Sequence, residues 1–297
     1  MALSEVESAR AKDAPLGIDR LISDDVADSL ALSTAAGWNQ TADDWHFFIE
    51  HGHSVGCRDA GGRLVATAAA LPYGNDLGWI SMVLVAAEAR HRGHATALLG
   101  DCIETLRAAG RTAVLDATPD GVEVYRRFGF VAGFAFERWQ GDGGATDAAD
   151  ACDEATNGIV EGAADDASTI AALDTAASGI DRSALMRAFA ARPATRVWLT
   201  SKRTGFAVAR AGARATQIGP VVAATQSDAV ALIETALNAV RGRVFVDVPE
   251  HVGAVASVLA DRAFTRQRPF TRMAQGAGAD VLAKHERVHA LAGPEFG

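Results

Sequence analysis

Tyrosine and cysteine are scarce in this 297-residue chain: two tyrosines, Tyr73 and Tyr125, and three cysteines, Cys57, Cys102 and Cys152. Three scattered cysteines give neither a disulfide framework nor a metal-type cluster. They suit a reducing cytosol, so a cytoplasmic protein without a bound metal is expected. Basic residues are in deficit, with 28 Lys and Arg against 37 Asp and Glu. Phosphate-backbone binding needs the opposite balance, which argues against a nucleic-acid partner. Long apolar runs are missing too. The longest, from Ile80 to Ala87 and including Ser81, falls far short of the roughly 20 residues that span a bilayer. The opening MALSEVESARAKDAP has no apolar core of the kind a secretory leader carries, so no membrane partner is expected. What remains is 49% hydrophobic and 22% charged residues, a globular composition. At roughly 100–200 residues per domain, the length suggests two domains.

The sharpest composition shift is GDGGATDAADACDEA, residues 141–155. It is rich in Gly, Ala and Asp and poor in large apolar residues, which reads as a flexible acidic linker. The expected organisation is a first domain at 15–140, the linker at 141–155, a second domain at 156–275 and a tail at 276–297. Within the tail, VHALAGPEF could add one more strand.

In the first half, residues 24–36 read as a helix with Val26, Leu30 and Ala31 on one side. An aromatic-rich segment follows, with Trp38, Trp45, Phe47 and Phe48. RLVATAAAL and GWISMVLV bracket the turn-forming PYGND and predict a β-hairpin. From Ala95, Leu98, Leu99, Cys102, Ile103 and Leu106 recur at helical spacing up to Gly110. A strand TAVLDAT, a helix GVEVYRRF closed by Gly129 and a last strand FVAGFAFERW complete the half.

The second half repeats this plan. RVWLTSKRTGFAVAR is a strand pair, ATQIGPVVA a strand, SDAVALIETALNAV a helix, RVFVDVP a strand, GAVASVLADRAF a helix and TRQRPFTRM a strand. Phe130 to Trp139 and Phe264 to Met273 have the same length, and Asp116 and Asp247 fall on equivalent strands. A period near 134 residues means two copies of a domain; a solenoid repeats every 20–50.

One loop carries chemistry. Strand SMVLV runs into Arg90-His91-Arg92-Gly93-His94-Ala95 and then a helix. A glycine lets backbone come close, and a helix start presents unpaired N–H groups, an arrangement that binds phosphate or pyrophosphate. Arg90 and Arg92 add positive charge. The bland alternative is a basic turn capping a surface helix.

In this context the sequence resembles the GNAT superfamily of acyl-CoA-dependent N-acetyltransferases. Arg90-x-x-Gly93-x-Ala95 is similar to that family's pyrophosphate-binding motif, and Tyr125 with Gly129-Phe130 to its Tyr-x-x-x-Gly-Phe helix. GWNQ, LDATP and FTRQRPFTRM resemble a bacterial subgroup with two fused GNAT-type domains. The resemblance covers residues 15–140 by motif and 156–275 by layout. It implies an α/β fold: tandem GNAT folds, each a splayed mixed β-sheet flanked by helices. Acetyl-CoA would enter the splay between the Ser81–Val85 and Thr112–Ala117 strands. Backbone groups of the Val83-Leu84-Val85 stretch, those of Val83 and Val85 above all, would pair with the pantetheine arm. Amides of Arg90, His91, Arg92, Gly93, His94, Ala95 and Thr96 would hold the pyrophosphate, with the His91 and His94 side chains facing solvent.

Tyr125 is the candidate general acid, since a phenol near pKa 10 stays protonated at neutral pH and can donate to the leaving thiolate. The alternative is a packing tyrosine. Asp116 is a candidate base or a contact for a cationic acceptor, or else a structural carboxylate; a charge in so apolar a segment needs a partner. Asp247 recurs in the other copy, which favours the structural reading. Glu88 and Glu50 are weaker base candidates. Trp38, Asn39 and Trp45 lie where the family places its acceptor-binding helices and suit a small organic amine; core tryptophans are the alternative.

The second copy lacks this chemistry. Val85 and Asp116 are 31 residues apart, Val222 and Asp247 only 25. Ala224-Thr225-Gln226-Ser227-Asp228 has no glycine or arginine, Asp228 would repel a pyrophosphate, and the tyrosine is absent. This half should not bind CoA. Its dense basic set, Arg262, Arg266, Arg268 and Arg272, offers Arg268 and Arg272 as acceptor contacts from a wall facing the Tyr125 helix; the bland alternative is strand-surface charge pairing with acidic neighbours. The expected protein is an acetyl-CoA-dependent enzyme acting on a small-molecule amine, monomer or homodimer. The competing class is a non-catalytic acyl-CoA sensor.

Overall fold

The computed structural model describes residues 17–144, 158–276 and 285–297. The first half runs β1 (Asp19–Arg20), α1 (Val26–Ala35), α2 (Ala42–His51), β2 (His53–Arg58), β3 (Leu64–Tyr73), β4 (Leu77–Val85), α3 (His94–Ala108), β5 (Thr112–Ala117), α4 (Pro119–Arg126) and β6 (Phe130–Gly143). The second runs β7 (Ile159–Glu161), α5 (Ala167–Ser178), α6 (Ser183–Ala191), β8 (Arg196–Thr200), β9 (Phe206–Arg210), β10 (Thr216–Val222), α7 (Gln226–Ala239), β11 (Gly242–Pro249), α8 (Gly253–Asp261), β12 (Thr265–Gln275) and β13 (Val288–Ala290).

All strands join one mixed sheet in the order β1-β2-β3-β4-β5-β12-β6-β11-β10-β9-β8-β7, with β13 on β10. Two pairs are parallel, β4 with β5 and β10 with β11, and the two halves match there. At the centre the halves exchange strands. β12 of the second half lies between β5 and β6, and β6 of the first half pairs with β11. Phe136 is the register partner of Phe270, and their rings stack 5.0 Å apart. The same position of the two copies therefore meets at the middle of the sheet.

Strand periodicity of two sorts side chains to the two faces. On β3, Ala69, Leu71 and Tyr73 enter a core shared by both halves, where α1, α2, α5 and α6 pack. Ala66, Ala68 and Ala70 face Leu98, Leu99, Cys102 and Leu106 of α3 on the other side. Small alanines bring α3 close to the sheet. The second half builds its own layer on that opposite face from α7 and α8.

Several elements differ from the sequence reading. The buried side of α1 is Val26, Ser29, Leu32 and Ser33; Ala31 is exposed and Leu30 half-buried. Ser29 and Ser33 mask that face from an apolar-periodicity reading, and Ser33 Oγ accepts from Trp45 Nε1 at 3.0 Å. The aromatic segment forms α2, whose Asp44 accepts the Thr41 amide at 2.8 Å to close the helix start. The alanine-rich helices α5 and α6 and strands β1, β2 and β7 were not visible from periodicity. β6 continues through Gly143, three residues into the stretch expected to be linker; residues 145–157 lie outside the described residues. Within the tail, β13 forms the additional strand.

Candidate active site

β4 and β5 are paired only at their starts, Leu77 with Thr112 through Trp79 with Val114. Beyond Trp79 they separate. The separation begins near a bulge: the interval from Thr67 to Ala69 on β3 spans Ser81 to Leu84 on β4, one residue more, and Met82 takes a φ of 55°. The Met82 carbonyl is held by Thr67 Oγ1 at 2.9 Å. Residues 80–85 of β4 thus keep β3 on one side and present an unpaired backbone edge on the side facing β5. A thioester arm laid along that edge would extend the sheet.

At the end of β4, Ala87–Ala89 make one 3-10 turn and Gly93 opens α3 at φ 85°. That left-handed conformation requires a residue without Cβ strain, which glycine supplies. No side chain caps α3. Among the described residues, the amides of residues 91–96 donate to no protein acceptor. These consecutive free donors lie at the positive end of a 15-residue helix. Arg90 and Arg92 are exposed beside them, and Arg90 Nε lies 3.5 Å from the Val85 carbonyl. The His91 side chain is exposed, as expected. His94 is buried instead, because the first turn of α3 lies against the sheet. This cradle fits a pyrophosphate.

The corresponding end of the second half is closed twice. Thr225 Oγ1 accepts the Asp228 amide at 3.1 Å, so α7 caps itself. The gap between β10 and β11 is filled by the chain. β13 pairs with β10 at Val221 and Val222, and the Leu291 amide donates to the Asp247 carbonyl at 2.8 Å. Gly219 is the close-approach point, where a Cβ would collide with the Leu291 carbonyl.

A cavity of about 160 Å³ opens at the split of β4 and β5. It is lined by Ser81, Met82 and Val83 of β4, Asp116 of β5, Tyr125 of α4, Trp38, Asn39 and Gln40 of the α1–α2 connection, and Arg268 and Phe270 of β12. Both halves therefore wall one cavity. Tyr125 packs edge-on against Phe130 at 6.0 Å, and its hydroxyl makes no hydrogen bond among the described residues. Burial pushes its phenol above the ordinary value. The other tyrosine, Tyr73, is buried away from this cavity and donates to the Phe296 carbonyl at 2.9 Å.

The other candidates sort by what holds them. Asp116 lines the cavity, yet both its oxygens accept from Arg272, each at 2.9 Å. Its side chain is 0% exposed and that of Arg272 4%. Burial pushes the Asp116 carboxyl up while Arg272 pulls it down. Asp247 repeats this pairing with Arg138, at 2.8 and 2.7 Å. The structure thus favours the structural reading of Asp116, and Arg272 is committed to it rather than free for an acceptor. Asn39 Oδ1 accepts the Arg214 and Ala215 amides at 2.9 and 3.0 Å, and Nδ2 donates to Ala215 O at 3.1 Å. It staples the α1–α2 connection to the second half at the cavity rim. Trp45 is fully buried and is a core residue. Trp38 and Arg268 remain as cavity walls with free chemistry. Glu295, which sequence reasoning missed, also reaches the cavity and is bound by Arg210 at 2.5 Å. No group of three or more His, Cys, Asp or Glu among the described residues is placed to hold a metal ion. No helix there is long and apolar enough to cross a membrane.

The sequence matches two family models: the acetyltransferase (GNAT) family over residues 23–130 and an acetyltransferase (GNAT) domain over residues 170–289. The chain belongs to the GNAT acetyltransferases, with two GNAT domains in tandem, and is an acyltransferase. Among solved structures it is similar to a Pyrococcus horikoshii protein provisionally assigned as an acetyltransferase. That match has a TM-score of 0.80 and 19% identity, covering 95% of this chain and 96% of the other. A tandem GNAT protein from the clavulanic acid biosynthesis pathway aligns with a TM-score of 0.62 at 17% identity, over 88% and 98% of the chains. A GCN5-related N-acetyltransferase from Kribbella flavida gives 0.58 at 19%, over 88% and 71%. These similarities speak for the fold. No curated protein matches the sequence.

Proposed function

We propose that this acyltransferase moves an acetyl group from acetyl-CoA to a small amine, with the first half as the catalytic domain and the second as part of the acceptor wall. The observation that carries the reading is the run of unpartnered amides at residues 91–96, at the end of a strand with a free edge that leads into the cavity beside Tyr125. With the expected boundaries near 140 and 156, the cradle and the phenol both belong to the first half.

Acetyl-CoA supplies a thioester carbonyl open to attack and a thiolate leaving group. The amides of residues 91–96, with Arg90 and Arg92, neutralise the pyrophosphate. The edge of β4 at Val83 and Val85 orients the arm by main-chain pairing and holds the thioester toward the cavity. Tyr125 gives its proton to the departing thiolate; its raised pKa keeps that proton in place at neutral pH. Asp116, held by Arg272, shapes the pocket floor and moves no proton. The attacking amine arrives neutral or loses its proton to water.

Thiol release from acetyl-CoA against a panel of amines, with calorimetric titration of CoA, tests the reading. Tight CoA binding with no amine-dependent thiol release would favour the sensor class.

A further inference from the structure

The charged side chains lining the cavity are Arg138, Arg214, Arg268, Asp116 and Glu295. Both anions are already spent on cations outside the lining, Asp116 on Arg272 and Glu295 on Arg210. Arg138 is matched by Asp247, which also accepts from Gln217 at 3.1 Å. The Arg268 side chain has no ion pair and no hydrogen bond among the described residues, and its Nε is buried without a partner. Its guanidinium lies 5.1 Å from the centroid of Phe270, a ring that also faces Arg138 at 5.6 Å. Two guanidinium groups thus flank one ring, and only that of Arg138 holds a carboxylate. Arg214, the third cation, donates to the Gly37 carbonyl and has no ion pair either. Burial and the charge of Arg138 disfavour the Arg268 cation and outweigh the pull of Asp247 and Glu295, carboxylates that are directly paired with other arginines, yet a guanidinium does not give up its proton in a protein. A half-buried cation held without a counterion is costly unless something supplies the negative charge.

We propose that the acceptor is an anionic amine, one that carries a carboxylate, and that Arg268 is the specificity residue that binds this group. The inference rests on the acetyltransferase reading of the cavity. Gln40 Oε1 and Ser81 Oγ, polar atoms of the same lining without protein partners, complete a pocket that is cationic at the β12 wall and neutral at the β4 wall. An acceptor with only positive charge, such as a polyamine, would add to the repulsion. An amino acid would replace the missing counterion and point its amine at the split between β4 and β5.

The test uses the full chain, with and without CoA, and five probes: phenylalanine, glutamate, their two carboxamides and spermidine as the charge-reversed control. Calorimetry should show at least one free acid binding about 10- to 100-fold more tightly than its carboxamide, the span of one charge-assisted hydrogen bond. Arg268→Gln should erase that preference while leaving CoA affinity unchanged, and Arg268→Lys should restore part of it. Arg268 makes no structural hydrogen bond, so the melting temperature of these variants should not fall. Equal binding of acids and carboxamides, preference for spermidine, no binding of any acid at millimolar concentration, or an unaltered preference in Arg268→Gln would each overturn the proposal. Failure of the chain to take up CoA would count against the acetyltransferase reading instead. The acid-against-carboxamide comparison in the CoA-free chain would still decide the role of Arg268.

Discussion

Asp116 and Arg272 are register partners on neighbouring strands from opposite halves, and the guanidinium grips both carboxylate oxygens at 2.9 Å. The pair is closed off by aromatic rings, with Arg272 lying 4.5 Å from the Trp79 ring and 5.0 Å from Phe134. Breaking it from one side leaves a buried charge. Arg272→Leu should cost about 3–5 kcal/mol, read as a lower urea midpoint with little change in slope. Adding Asp116→Leu should return a large part of that loss. If Asp116 were instead the catalytic base, the double variant would regain stability and still show no turnover, so activity measured beside stability separates the two roles.

Tyr125→Phe keeps the ring against Phe130 and removes only the hydroxyl. CoA affinity should hold while kcat falls by about 10²–10⁴-fold, the span for one acid–base group. Because burial raises the Tyr125 phenol, the wild-type rate should show no alkaline decline from this group below about pH 10, the ordinary tyrosine value. An unchanged kcat in the phenylalanine variant would leave thiolate protonation to water.

Gly93 holds a φ of 85° where α3 begins. Gly93→Asp would strain that turn and set a negative charge among the free amides of residues 91–96. CoA binding should drop below calorimetric detection, with circular dichroism unchanged. Binding as tight as wild type would move the pyrophosphate elsewhere.

Burial pushes the Cys102 thiol up to about 12, and the Cys57 thiol is raised as well. Thiolate is the reactive form. Iodoacetamide at pH 8 should leave both residues unmodified in the native chain, and peptide mapping should find them alkylated only after unfolding. Rapid native modification of Cys102 would contradict the packing of α3 on β3.

The first-half hairpin, α3 and the phosphate cradle were legible because their signals are local. Pro72, Gly74 and Asn75 mark the turn, Leu98 to Leu106 keep helical spacing, and Gly93 sits between strand and helix. The cavity walls were legible only in part. Trp38 and Trp45 look alike in sequence, but Trp38 lies in the α1–α2 connection at the cavity and Trp45 on α2 in the core. Asp116 drew attention as a lone acid in an apolar strand, but its partner lies 156 residues away. One signal could have found it. Arg138 and Arg272 recur at the same offset as their strands, so each copy carries one Asp and one Arg at matching places. That both are internal pairs across the halves depends on strand exchange, and no local propensity specifies which half a strand joins.

The exchange bears directly on whether the halves can live apart. A chain cut between residues 144 and 158 leaves the first fragment without β12. β5 then loses its neighbour beyond β4, and β6 loses both of its partners, β12 and β11. Asp116 would lose Arg272, and Tyr73 and Trp79 would lose the Phe296 and Pro294 carbonyls that they donate to. Long unpaired strand edges favour association with other chains. The first fragment alone should therefore be aggregated or unfolded by circular dichroism and should bind no CoA, although it carries the whole phosphate cradle. Co-expressed with a fragment beginning at residue 158, it should assemble into a one-to-one complex, because the pairing of β12 with β5 and β6 needs no covalent link between the halves. That complex should bind CoA with the affinity of the intact chain. A first fragment that is monomeric, folded and CoA-binding by itself would show that β6 can return to β5 in its own half. The central position of β12 would then be a preference of the intact chain and not a requirement of the fold.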